Sequence, residues 1–364
     1  MKRTAETIKD RVGVPSARIS PRYLVAVLGG MLGAMVAFCG LLFGLHASDN
    51  LPPPAFSNSL CVDEKLSFLR NHPISSPDLL VIGSSVAWRH FDGDALVQAS
   101  PGAKPLNGAF CGLHANQSVY VANWLLDREP SVRQVVMIID PLDFAGCWKV
   151  PDAVFNRSDA DRYVYEQAPV WKYYLNYFAP GSLLRNALSI KDQRNDRSDF
   201  DPLVFNRHGD GPLYTNNSRD LLYGAPEPLD SGCFSALKSL ASRLKQDGLP
   251  FTVVSTPLHP DWKAQHDPTG AFLDRFDNEV ITALSATPAK YWNADKQWTA
   301  PEGAFVDAIH LRWSAAQAFS KALVQQLDLD LPAIQVEMES RALTPDSQPS
   351  MAAANNTAQN QITF

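Results

Sequence analysis

Residues 23–45, YLVAVLGGMLGAMVAFCGLLFGL, carry no charged side chain. As a helix, a run of this length crosses about 30 Å of hydrocarbon. The segment before it holds Lys2, Arg3, Lys9, Arg11, Arg18 and Arg22 against Glu6 and Asp10, while the residues just after it are nearly devoid of basic groups. The positive-inside rule then predicts that residues 1–22 are cytoplasmic and that the chain from about residue 46 lies outside. A cleaved signal peptide would have an apolar core of roughly 7 to 15 residues and a small-x-small cleavage site, and no good site of that kind follows Leu45. The expectation is an uncleaved single-pass anchor in the inner (cytoplasmic) membrane, with the bilayer as one partner and a periplasmic, extracytoplasmic domain. Gly29 with Gly33, and Gly40 with Gly44, have the small-xxx-small spacing that lets membrane helices approach closely.

Beyond the span, LPPPAFSNS (51–59) reads as a stiff, extended spacer within a linker over 46–60, lifting the domain off the membrane. The folded part is expected over 61–330. The short apolar runs DLLVIG (78–83), QVVMIID (134–140) and FTVVSTP (251–257), with the weaker AKYWNAD (289–295), have the composition of strands covered on both faces. Between them lie helical patterns over 114–129, 235–248 and 271–286, the second closing on Gly248. This alternation predicts an α/β fold, a parallel sheet with helices on both faces in three layers. Residues 148–230 break the rhythm as an aromatic and polar insertion with one helix near PVWKYYLNYF (169–178). Insertions of this size are usually functional loops or small caps. The tail over 331–364 has the composition of disorder.

Charge and cysteine usage narrow the class. A formal net charge of -6 argues against a general nucleic-acid partner, which would need a basic face. Cys61, Cys111, Cys147 and Cys233 are an even number in an oxidising space. They form two bridges or remain buried thiols, and spacing does not choose among the three pairings. None has CxxC spacing, so neither metal nor cofactor is expected.

Two motifs carry chemistry. VIGSSVAWRHF (81–91) runs a strand into Gly83-Ser84-Ser85 and then a helix. Such a turn is either a hydroxyl-capped connection or a nucleophile at the carboxyl edge of a sheet. In FVDAIHLRWSAAQAFSKALVQQL (305–327), Asp307 and His310 precede an amphipathic helix with Ser314 as its expected cap. A carboxylate three residues from an imidazole can hold one ring nitrogen and fix the tautomer of a general base at the other.

A Gly-x-Ser turn after the first strand, with DxxH ahead of the last helix, is the chain order of the SGNH (GDSL-like) hydrolase superfamily, which this chain resembles over roughly 75–330. The resemblance implies that Ser85 is the nucleophile, His310 the base and Asp307 its orienter, with Ser84 where the family often has Asp. NGAFCG (107–112) is similar to the second block, so Gly112 would join Ser85 in donating N–H groups to an oxyanion hole, with Asn107 beside the pocket. The third block departs: the family's asparagine is replaced by DPLDF (140–144), in which an ionised Asp140 or Asp143 would repel an oxyanion. The anchored look resembles proteins that O-acetylate exported polysaccharides beside a multi-span membrane acyltransferase, which implies an acyltransferase with a polysaccharide acceptor. An esterase and a catalytically inactive scaffold subunit of an envelope complex are the alternatives.

Other residues are weighed more lightly. Trp148, Trp171, Tyr173, Tyr174 and Tyr177 either offer a carbohydrate platform or pack in the core. His259, after a strand, is a candidate pocket residue, His90 a candidate solvent-facing one, and His266 with Asp267 a metal pair of low standing.

Overall fold

The computed structural model describes residues 20–195 and 203–327. The expected tail over 331–364, and all but three residues of the expected cytoplasmic segment 1–22, lie outside the described residues.

Five strands, β1 (Leu79–Gly83), β2 (Pro105–Asn107), β3 (Gln134–Ile139), β4 (Phe251–Ser255) and β5 (Lys290–Asn293), form one sheet in the order β2-β1-β3-β4-β5. Every pairing is parallel, with Leu79 opposite Gln134 and Gly83 opposite Ile138 across β1 and β3. The expected α/β fold with a parallel sheet is present. Side chains alternate across a strand, so Leu80, Ile82, Val135, Met137 and Val253 enter one core. Leu79, Val81, Val136, Ile138 and Val254 enter the other. Both faces are therefore covered, each fully buried aliphatic side chain contributing roughly 1.5–3 kcal/mol.

On the first face lie the helices Leu60–Asn71, Ala115–Arg128, Ser231–Asp247 and Ala271–Leu284; on the second, Ser85–His90, Gly93–Ala99 and Trp313–Val324. Trp313–Val324 buries Ala315, Ala316, Phe319, Ser320 and Leu323, the one-sided stripe of an amphipathic helix. Its N-cap is Arg312, not the expected Ser314, because the preceding loop already turns the chain at that point. Ser231–Asp247 ends as expected on Gly248 in the left-handed region, where a Cβ is disfavoured.

Among its described residues the insertion holds three helices, Arg157–Val164, Trp171–Asn176 and Pro180–Asn195, rather than one. Its aromatic residues also correct the spacer expected over 46–60. Pro52, Pro54 and Phe56 are buried. The Phe56 ring packs 4.7 Å from Tyr163 and 5.0 Å from Tyr173, and Tyr174 Oη–H donates to Pro52 O at 2.6 Å. Burying Phe56 among tyrosines outweighs the extended preference of a proline-rich run, so the segment docks on the domain. Before it, the helix Pro21–Ala47, of 27 residues, is long and apolar enough to cross a membrane and has no buried residue. Disulfides join Cys61 to Cys111 and Cys147 to Cys233, settling the pairing that spacing left open.

Strand order reverses between β1 and β3, since β2 lies to one side of β1 and β3 to the other. In open α/β sheets the crevice at such a point, beyond the carboxyl ends of the strands, is where ligands bind. The segments entering it here are 83–85 and 140–143.

Candidate active site

The turn after β1 is fixed by its glycine. Gly83 has φ +140, and a Cβ there would lie 2.3 Å from Ile138 O and 2.6 Å from Ala87 Cβ. Ser84 sits at the N-cap of Ser85–His90 but makes no capping bond. Its Oγ–H instead donates to Asp143 Oδ2 at 2.7 Å, so the capping explanation of the Gly-Ser-Ser turn fails here. Ser85 opens the helix, half-buried, and lines a cleft of about 400 Å³.

The opposite wall is the loop before the last helix. Val306 N–H donates to His310 O at 2.8 Å and Arg312 N–H to Ala304 O at 2.7 Å, closing residues 304–312 into a tight hairpin. Asp307 Oδ1 accepts from the N–H groups of Ile309 and His310, at 2.9 Å and 2.8 Å. Asp307 Oδ2 lies 2.9 Å from His310 Nδ1, and His310 Nε2 lies 2.9 Å from Ser85 Oγ. With the Nδ1 proton directed at the carboxylate, Nε2 is left to accept the Ser85 hydroxyl proton. Burial raises the Asp307 carboxyl, but the bonds and charge of His310 with the two backbone donors hold it net below the usual carboxylate range.

His90 is a correction. Rather than facing solvent it is fully buried, and Leu311 N–H donates to its Nε2 at 2.9 Å. Its Nδ1 therefore donates to Thr256 Oγ1, 2.6 Å away. Burial first, and the neighbouring His310 second, hold its pKa well below 6.5, so the ring is a neutral tie between Thr256, just past β4, and the hairpin that carries His310.

The remaining candidates separate. Gly112, with φ +69, lines the cleft beside Cys111, whose disulfide ties this loop to the helix Leu60–Asn71. Asp143 lines it too. Asn107 does not: its amide donates to Ala87 O at 3.1 Å and Asp210 Oδ1 at 3.0 Å, and its Oδ1 accepts from Ala109 N–H at 3.1 Å, so it braces the second block from below. Asp140 is fully buried behind the cleft, Oδ1 accepting from Leu142 N–H at 2.7 Å. Nor does His259 reach the cleft; its Nδ1 accepts from Asp261 N–H at 3.1 Å and caps the helix Pro260–His266. Asp267 likewise accepts from the N–H groups of Phe272 and Leu273. The five aromatic residues weighed as a platform are absent from the lining: Tyr173 is core, Tyr174 and Tyr177 make hydrogen bonds elsewhere in the domain, and Trp148 and Trp171 are exposed away from the cleft.

Three residues at the site lie outside the sequence reading. Arg89, one turn after Ser85, lines the cleft with its guanidinium 3.9 Å from the Trp88 ring. Arg219 arrives from the insertion: its N–H donates to Val306 O at 2.7 Å and its guanidinium lies 3.5 Å from Asp307 Oδ2. Tyr223 places its ring 5.9 Å from that of His310, on backbone at φ +91, a strained region for a non-glycine residue. The i,i+4 spacing of Ser85 and Arg89 on one helix could have suggested the first; nothing in an irregular segment marks the other two.

No protein-family model matches the chain, and no curated protein does. Among solved structures it is similar to the inhibitor-bound aryl esterase of M. smegmatis, at 11% identity with a TM-score of 0.34, covering 69% of this chain and 97% of that one. It is also similar to a carbohydrate acetylesterase from Sinorhizobium meliloti, at 9% identity with a TM-score of 0.32 and the same coverage, 69% and 97%. With structural similarity so slight, the side chains of this protein decide its chemistry.

Proposed function

We propose that this protein is a membrane-anchored serine acyl-transfer enzyme of the SGNH type, acting outside the cytoplasmic membrane on an exported or cell-envelope polysaccharide. The observation that carries this reading is the relay of Ser85 Oγ, His310 and Asp307 at the bottom of a cleft, assembled at the switch point of the sheet. Ser85 Oγ attacks an ester carbonyl as His310 Nε2 takes its proton. The tetrahedral intermediate collapses, the alkoxide leaving group receives that proton, and an acyl-serine remains. Asp307 stays ionised and stabilises the imidazolium, while the N–H groups of Ser85 and Gly112 face the oxyanion. A polysaccharide hydroxyl then gives its proton to His310 and takes the acyl group, restoring Ser85. If water takes that place, the enzyme is an esterase.

The test is labelling of the full-length protein with a fluorophosphonate, beside Ser85→Ala. An adduct on wild type that Ser85→Ala abolishes is expected. No Ser85-dependent adduct, with Ser85→Ala fully functional in the cell, would leave a scaffold subunit instead. Acyl recovered on added polysaccharide, rather than as free acid, distinguishes transferase from esterase.

A further inference from the structure

The acyl-transfer reading leaves one gap, since the third donor expected of the oxyanion hole is replaced by acidic residues. We propose that Asp143 fills it as a neutral carboxylic acid, its Oδ1–H donating to the developing oxyanion while Ser84 holds Oδ2. This inference rests on the acyl-transfer reading and adds the identity and proton state of one catalytic group.

Position comes first. Asp143 lines the cleft with Ser85, Gly112 and His310, on the segment that leaves β3 at the switch point. Its Oδ2 is engaged by the buried Ser84 hydroxyl at 2.7 Å, and its backbone N–H donates to Asp140 O at 3.1 Å, which fixes the turn that carries the carboxyl. Surroundings come second. Behind it the Asp140 carboxyl is fully buried, and Asp140 Oδ2 has no hydrogen-bond partner among the described residues. The charges that act most on Asp140 are Asp143, Asp295 and Asp307, all acidic. With no cation among the groups that act most on either carboxyl, the two cannot both ionise cheaply, so the pair retains protons near neutrality. Burial pushes the Asp143 carboxyl up to about 7, against the opposing bonds from Ser84 and the Asp140 backbone. Chemistry comes third: an ionised carboxylate would oppose a growing negative charge, whereas a carboxylic acid kept neutral by its site donates to it.

A proton-dependent donor predicts a pH profile that amide substitution simplifies. Arg89, His114, Tyr223 and His310 line the same cleft, with Asp140 and Asp307 behind it; all are present in each variant, so comparison isolates residues 84 and 143. The assay is hydrolysis of p-nitrophenyl acetate by the full-length protein in detergent from pH 5 to 10, with the Ser85→Ala rate subtracted. For wild type the Ser85-dependent rate should fall about tenfold per pH unit above about 7. Asp143→Asn, whose amide donates at every pH, should hold its plateau and exceed wild type by up to about 100-fold at pH 9. Asp143→Ala should lose about 10²- to 10³-fold at the optimum. Ser84→Ala should move the alkaline limb to higher pH, since the bond from Ser84 favours the anion. An alkaline limb unchanged in Asp143→Asn, or unmoved in Ser84→Ala, overturns the inference. So does an Asp143→Asn protein as inactive as Asp143→Ala while melting like wild type. Absence of any Ser85-dependent fluorophosphonate adduct instead overturns the acyl-transfer reading, and this inference with it.

Discussion

Asp307 and the Asp140–Asp143 pair are the same chemical group in two settings on either side of one cleft. Asp307 is surrounded by donors: two backbone N–H groups, the His310 imidazole and, at 3.5 Å, the Arg219 guanidinium. The other two face each other and further acids, with a hydroxyl and backbone N–H groups as the only donors named above. One setting lowers the carboxyl and the other raises it. Opposed proton states across one cleft are what general-base and oxyanion chemistry need at a single pH. Burial alone, shared by all three, does not decide the state; the count and sign of neighbours does.

The comparison can be broken most severely at Asp307. Asp307→Asn keeps the shape but lets the imidazole adopt the wrong tautomer, and a loss of about 10⁴-fold in kcat is expected for Ser85-dependent ester hydrolysis. A loss under tenfold would mean that Asp307 does not orient the base. Smaller effects follow from Arg219→Gln, which removes the cation nearest Asp307. Asp307 keeps its two backbone donors and the imidazole, so kcat for Ser85-dependent ester hydrolysis should change by less than about tenfold. A loss as large as that of Asp307→Asn would instead show that the 3.5 Å pair is what holds Asp307 in place.

Stability gives the gentlest probe, and the two settings carry opposite signs. The lowered Asp307 carboxyl contributes stability above the ordinary carboxylate value of about 4, which is lost as pH falls through its folded value. The raised Asp140 carboxyl does the reverse: both states are protonated at pH 3, and above about 4 the unfolded chain ionises while the folded one resists, so stability declines as pH rises. Asp140→Asn should therefore leave Tm unchanged near pH 3 and raise it by a few degrees near pH 7. Thermal melts at the two pH values check this; equal shifts at both would point to packing rather than charge.

How much of this was legible in the sequence depends on the distance over which each feature is decided. The strands at Leu79–Gly83, Gln134–Ile139 and Phe251–Ser255 are written in local runs of apolar residues, and their alternation with helices led to the sheet. Pro105–Asn107 was invisible: three residues beginning with proline carry no periodicity, and proline is tolerated there because β2 is an edge strand. Ser85 and His310 could be paired because chain order is itself a pattern. Arg219 and Tyr223 could not, because an irregular segment gives no rule for which side chain will reach a site 88 residues away, as Arg219 does for Asp307. Of the two readings open for the tyrosines of the insertion, platform or core packing, the second holds for Tyr173. Their partner is Phe56 in a stretch that looked like a spacer, and a single aromatic residue among prolines does not announce that it will be buried.

The relay from Ser85 to His310 spans 225 positions. The helix that follows His310 also locks the helix that starts at Ser85, since Ser320 Oγ donates to His90 O at 2.9 Å and accepts from Asp92 N–H at 2.8 Å. A chain emerging from the ribosome thus presents its hydroxyl long before the matching base has been made. The Ser85–His310 contact can close only once the chain has been made as far as the helix that carries Ser320, so every shorter precursor holds the hydroxyl without its imidazole.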